Sequence, residues 1–325
     1  MATQLDQVKR DLVGGSSVGP TSKPPQWLHK LLGTVPGLPA DAVPHNRPKH
    51  AELQAAIAEA AYHPAIEACL HLINGDLYSA HFLVRKAQGG SRYLDWLHAI
   101  LHKLEGDFRN AKMWYTDLGN SNAGASGGER ARSSEESKGT ADVFRRFHAF
   151  WLVPATNGGA GQREKGGTLD LESLNDLPRQ VQLTAHGHID LVFLTTLAQK
   201  AATSSAVGSD AVQRDIEKHH RSTTEAEDKI KASQSAFALD ELQSLFEKLV
   251  DSESAQKAVR GVTQLELLWM LSAMVEDFGW RHYGMADAVE ALKVESTPAH
   301  QSLDDDRKSK ASNMVFNPSQ GQRIF

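Results

Sequence analysis

The sequence predicts an all-α protein, a helical-repeat array with disordered insertions and tails. Three observations carry this. The segment His71–Ala80 recurs as His102–Ala111, an offset of 31 residues. Apolar residues fall at helical spacing, and polar Gly/Ser-rich stretches separate the periodic segments.

Residues 1–48 read as a mostly disordered N-terminal segment. A short helix gives way to a Gly/Ser/Pro-rich linker over 13–25, which has too little apolar area to offset chain entropy. Pro36, Pro39, Pro44 and Pro48 then favour extended chain. From 49 the run AELQAAIAEAAYHP is rich in helix formers and stops near His63-Pro64. Three or four more helices follow to about 118, so 49–118 is the tandem hairpin region. Residues 119–140 are almost free of apolar side chains and read as a disordered insertion. Residues 141–153 (ADVFRRFHAFWLV) read as an aromatic helix, and 155–168 are again Gly-rich. Apolar spacing returns over 172–202. Residues 211–234 are so polar that a helix there would be solvated on most faces. Residues 237–293 read as two or three helices. The region 141–293 is expected to pack on the repeat, because two repeats are fewer than the roughly three an array needs. Residues 294–325 read as a disordered tail.

Composition narrows the function. The 325 residues are 40% hydrophobic and 23% charged, with a net charge of −5. An acidic chain lacks the clustered Lys and Arg that neutralise phosphates, so no nucleic-acid partner is expected. No segment reaches the ~20 apolar residues of a membrane span, so no membrane partner is expected. The N-terminus lacks the apolar run of a signal peptide. The single cysteine, Cys69, excludes an intrachain disulfide and reads as a small buried hydrophobe. A cytoplasmic protein is the expectation, with the nucleus also open.

Each repeat copy holds a helix ending at Gly-Asp, then an apolar residue, then Ala. The copies are Gly75-Asp76-Leu77 with Ala80, and Gly106-Asp107-Phe108 with Ala111. Glycine accepts the left-handed conformation that ends a helix. Aspartate caps the next one, and Ala lets the two helices approach closely. The pattern resembles the tetratricopeptide repeat over about 60–118, with Ala68 and Ala99 on its small helix-A position and Tyr115 on a later aromatic one. It departs where Glu67, His71, His98 and His102 replace large apolar residues. The second copy also resembles a segment of an uncharacterised bacterial and fungal family, through His98, His102, Glu105, Asp107, Asn110, Lys112 and Trp114. That resemblance implies a helical fold and names no activity.

At about 100° per residue, Tyr93, Leu94, Leu97, Ile100, Leu101 and Leu104 form a buried stripe roughly 120° wide. His98, His102 and Glu105 share its flank within roughly 60°. The repeat offset pairs Glu67 with His98 and His71 with His102. Side-by-side hairpins would then bring these four together, with His81 within reach. Imidazoles and carboxylates suit Zn²⁺, Fe²⁺ or Mn²⁺. In that reading His98, His102, His81, His71 and Glu105 are the metal candidates, and Glu105 or Glu67 the candidate general base. The alternative is a polar layer between helices with no chemistry.

Other signals are slighter. His186-Gly-His188 with Asp190 suggests metal binding on a turn, His219-His220 read as solvated, and Trp269, Trp280 and Tyr283 as packing for the C-terminal helices. No phosphate loop, nucleophile elbow or dinucleotide fingerprint occurs. The leading functional expectation is an intracellular interaction or adaptor module with a protein partner bound in the groove of the array. The alternative is a metal-binding protein or metal-dependent enzyme, and a purely structural subunit is a third reading.

Overall fold

The computed structural model describes residues 2–14, 23–37, 48–86, 91–120, 185–203, 209–224, 235 and 237–284. The expected insertion beyond 120, the aromatic helix at 141–153, the Gly-rich tract and the C-terminal tail lie outside the described residues. Among those described, all regular structure is helical. The helices are α1 (Ala2–Gly14), α2 (Leu28–Leu32), α3 (Ala51–Glu59), α4 (Pro64–Ile73), α5 (Leu77–Lys86), α6 (Arg92–Glu105), α7 (Phe108–Asn120), α8 (Ala185–Thr203), α9 (Ser209–Thr224), α10 (Leu239–Asp251) and α11 (Glu253–Phe278).

The 31-residue repeat holds down to single hydrogen bonds. In the α4–α5 turn, the Asp76 N–H donates to the His71 carbonyl (2.9 Å) and the Gly75 N–H to that of Leu72 (3.0 Å). In the α6–α7 turn, Asp107 donates to His102 (2.9 Å) and Gly106 to Lys103 (3.2 Å). This paired closure uses the carbonyls that a helix end leaves without partners. It requires a left-handed residue, and Gly75 and Gly106 supply it with φ of 73° and 78°. Each aspartate then caps the next helix: Oδ1 of Asp76 accepts from the Ser79 N–H (3.1 Å), and Oδ1 of Asp107 from that of Asn110 (3.3 Å). Ala80 and Ala111 are fully buried where the paired helices meet. An added methyl at Gly106 would meet nothing within 4 Å. Gly106→Ala should therefore cost only the backbone strain, about 1 kcal/mol, read as a shift in the denaturant midpoint with unchanged slope.

Successive hairpins pack together, α6 lying against both α4 and α5. The 26-residue helix α11 runs antiparallel to α4 and α6 and covers them. The Tyr93 hydroxyl donates to Asp277 near the α11 C-terminus, and the rings of Trp96 and Trp269 meet edge-on at 6.1 Å. The Cys69 thiol, fully buried, faces the Leu267 carbonyl at 3.7 Å, and burial pushes its pKa up, leaving it a neutral, apolar-like group. Every residue of α4 is buried as a result. Helix α8 packs on α7, α10 and α11, so the described helices from 185 to 278 and the hairpins share one core.

Of the N-terminal 48 residues, 2–14, 23–37 and 48 are described, and their two helices pack on the rest of the fold. Helix α1 packs on α11 and α2 on α4, burying Leu12, Leu28, Leu31 and Leu32. These two apolar patches are short, and it is α11 for the first and α4 for the second that gives them somewhere to bury. Trp280 and Tyr283 likewise reach beyond the C-terminal helices to the α3–α4 junction. Trp280 meets Tyr62 edge-on at 5.2 Å, and the Tyr283 N–H donates to the Ala61 carbonyl (2.7 Å). His63 stacks on Phe278 at 3.7 Å, and burial lowers its pKa to about 3, so this ring is a neutral packing element.

Two charge networks are buried between the halves. Lys103, beside Trp96 on α6 and outside the apolar stripe, pairs with Glu266 of α11. Glu266 also accepts from the Trp96 indole (2.8 Å) and the Tyr115 hydroxyl. Lys112 of α7 pairs with Asp190 of α8, which also meets His219 Nε2 of α9 (2.8 Å) and accepts from the Ser235 hydroxyl (2.9 Å). All four charged groups are at most 1% exposed. Burial lowers the pKa of both lysines, against the opposing pull of their carboxylates.

Candidate metal centre

His81 projects from α5, and His98 and His102 from successive turns of α6. One ligand atom from each lies within 4.8 Å of the others. The His98 and His102 rings stack at 4.8 Å, as i, i+4 neighbours on one helix face do. His81 meets both edge-on, with centroids 5.4 and 5.8 Å away. The cluster therefore needs the α5–α6 packing that the repeat creates.

Glu105 lies beside this trio. Its Oε2 is 3.2 Å from His102 Nδ1, and its Oε1 is 3.8 Å from His81 Nδ1. A carboxylate on Nδ1 holds that proton there and leaves Nε2 as the free donor atom, the usual arrangement behind a metal-binding imidazole. Behind the cluster, Trp114 of α7 stacks on His98 at 4.3 Å. His98 is 4% exposed, and its Nδ1 finds no hydrogen-bond partner among the described residues. Burial, reinforced by the charges of His102, His81 and Arg85, lowers the His98 pKa to about 3. Burial likewise lowers that of His81. The side chains of His81 and Glu105 are 33% and 29% exposed, so the cluster has a sealed floor and an open mouth.

Glu67 and His71 do not join the other candidates. His71 Nδ1 lies 2.9 Å from Asp76 Oδ2, and its Nε2 lies 3.8 Å from Glu67 Oε1. Gln54 of α3 donates to the same Asp76 oxygen at 2.8 Å. Burial disfavours the His71 cation, but the two carboxylates outweigh it and its pKa is raised. The reason is a property of stacked units. Equivalent residues look toward the same side: His102 meets His81 of α5, whereas His71 meets Asp76, which Gln54 of α3 also reaches. The shared wall expected from the 31-residue offset is thus two separate sites.

The remaining candidates disperse. The residues of His186-Gly-His188 with Asp190 lie on helix α8 rather than on a turn, and they take different partners. His186 Nε2 meets Thr116 Oγ1 (2.9 Å) and the Lys112 carbonyl (3.1 Å). Asp190 belongs to the Lys112 network. His188 is fully enclosed, and burial, with the Lys103 charge, lowers its pKa well below the usual imidazole value. His219, read from sequence as solvated, stacks on Phe193 at 3.9 Å and is 7% exposed. Val212, Ile216 and His219 make one buried edge on an otherwise polar helix, too narrow to register in the composition.

Sequence reasoning passed over the site roles of Arg85 and Trp114. Arg85 lies four residues after His81, a spacing that puts both on one helix face. Trp114 is found only through the α6–α7 packing. A cleft of about 440 Å³ opens elsewhere, between α1 and α2, with Lys9, Arg10 and His29 on its walls; it shares no residue with the imidazole cluster. No family model, curated protein or solved structure matches this chain.

Proposed function

We propose that this protein binds one divalent transition metal through His81, His98 and His102, on a tetratricopeptide-like pair of helical hairpins. The observation that carries this reading is the convergence of three imidazole donor atoms within 4.8 Å. Zinc–nitrogen bonds of about 2.0–2.1 Å put tetrahedral ligand atoms roughly 3.4 Å apart. The rings would therefore draw in by roughly 1–1.5 Å, a shift their side-chain torsions supply. Glu105 orients His102 from behind and places its charge beside His81. Zn²⁺, Fe²⁺ and Mn²⁺ all suit this donor set.

The matched Gly-Asp turns and the packing of α6 on both helices of the preceding hairpin support the tetratricopeptide-like description. In such an array the face formed by α4 and α6 is where a partner segment would lie. Here α11 of the same chain covers that face, so a protein partner would have to use another surface.

The test uses the full chain, without a histidine tag, stripped by a chelator and titrated with Co²⁺ or Zn²⁺. About one metal per chain is expected. The double variant His98→Ala, His102→Ala should lose binding while keeping its helical circular dichroism. Glu105→Gln, at a partly exposed position, should weaken affinity about tenfold or more through the lost orientation of the His102 ring. Uptake below about 0.1 metal per chain by the unaltered protein would overturn the proposal.

A further inference from the structure

We infer that the remaining coordination position of this centre is an anion site, where a small carboxylate or oxyanion bridges the metal and the guanidinium of Arg85. The inference rests on the metal reading above and adds the chemical class of ligand the metal takes.

Three features of the site support it. The first is access. The floor is closed by Trp114 against His98, whereas His81 and Glu105 border solvent, so a ligand has one side from which to enter. The second is charge. Three neutral imidazoles leave a divalent metal uncompensated, and closed structural sites commonly cancel that charge with thiolates. The only thiol in this chain, Cys69, is buried against the Leu267 carbonyl of α11. Glu105 contacts the rings through their Nδ1 atoms and offsets one charge, which leaves an excess that an anion from solution relieves. The third is Arg85. It follows His81 by four residues on α5, one helical turn or about 6 Å along the same face. It is exposed and forms no ion pair among the described residues. A guanidinium presents its donors in a planar fork that fits two oxygens of a carboxylate or oxyanion.

The experiment is a titration of the Co²⁺-loaded full chain with azide and, separately, with acetate, followed by the visible absorption of the metal. Saturable spectral changes are expected with both. Arg85→Ala should still take up about one Co²⁺ per chain and weaken the anion roughly fivefold, the effect of removing one exposed charge. Arg85→Lys keeps the charge without the fork and should fall between. Lys86→Ala, the neighbouring cation on the same helix, should change nothing. A Co²⁺ spectrum indifferent to both anions overturns this inference alone. Equal weakening by Arg85→Ala and Lys86→Ala also overturns it, because a diffuse positive surface then suffices. A chain that takes up no Co²⁺ overturns the metal reading and this one together.

Discussion

Glu266→Gln should destabilise the fold by about 3–5 kcal/mol, the cost of leaving a buried charge without its counterpart. The carboxylate of Glu266 is fully buried and faces Lys103, the indole of Trp96 and the hydroxyl of Tyr115. Glutamine keeps the shape and can still accept from Trp96 or Tyr115, but it removes the negative charge paired with the Lys103 ammonium and leaves it the Tyr115 hydroxyl (3.1 Å) as a neutral partner. Against a typical domain stability of about 5–15 kcal/mol, such a loss moves the urea midpoint far. The double variant Lys103→Met, Glu266→Gln removes the uncompensated charge and should recover most of the loss. If the double variant is no more stable than the single one, the charge is not the cause, and packing around α11 is.

Asp190→Asn should have a comparable effect, about 3 kcal/mol, because it unpairs Lys112 and His219 at once. This effect should also depend on pH. Burial alone would raise the Asp190 pKa, but the hydrogen bond from His219 and the charge of Lys112 outweigh it and hold the value at about 2. The carboxylate therefore titrates lower in the folded chain than in the unfolded one. Its stabilisation is complete above about pH 4 and is lost as pH falls toward about 2. The stability gap between the unaltered chain and Asp190→Asn, measured by urea unfolding, should narrow from pH 7 to pH 3. A gap that stays constant over that range would show that the lost side-chain shape, not the charge, matters.

Much of the local structure could be read from residue order. Gly75-Asp76 and Gly106-Asp107 specify their turns because glycine alone takes a left-handed helix end without strain, and aspartate caps whatever follows. The His98, His102 and Glu105 edge follows from helical spacing alone, and the placement of His81 near it from the hairpin order. The reading failed where a residue's environment depends on a distant element. Lys103 and Lys112 look like solvent-facing residues in any window of sequence, because a charge is buried only where a partner is delivered to it. Those partners, Glu266 and Asp190, lie 163 and 78 residues away. His71 and Glu67 were misplaced for a related reason. A repeat says which positions are equivalent, not which neighbouring unit each one faces.

The chain's own order of residues determined that it forms helices, where two hairpins turn, and which imidazoles share an edge, since these depend on neighbours within a few residues. Only the tertiary structure decided that α11 covers the hairpins, that four charges lie inside, and that His81 meets His98 and His102 while His71 does not. Such contacts join residues far apart in the chain, and their energies arise only when water is excluded between the surfaces that bring them together.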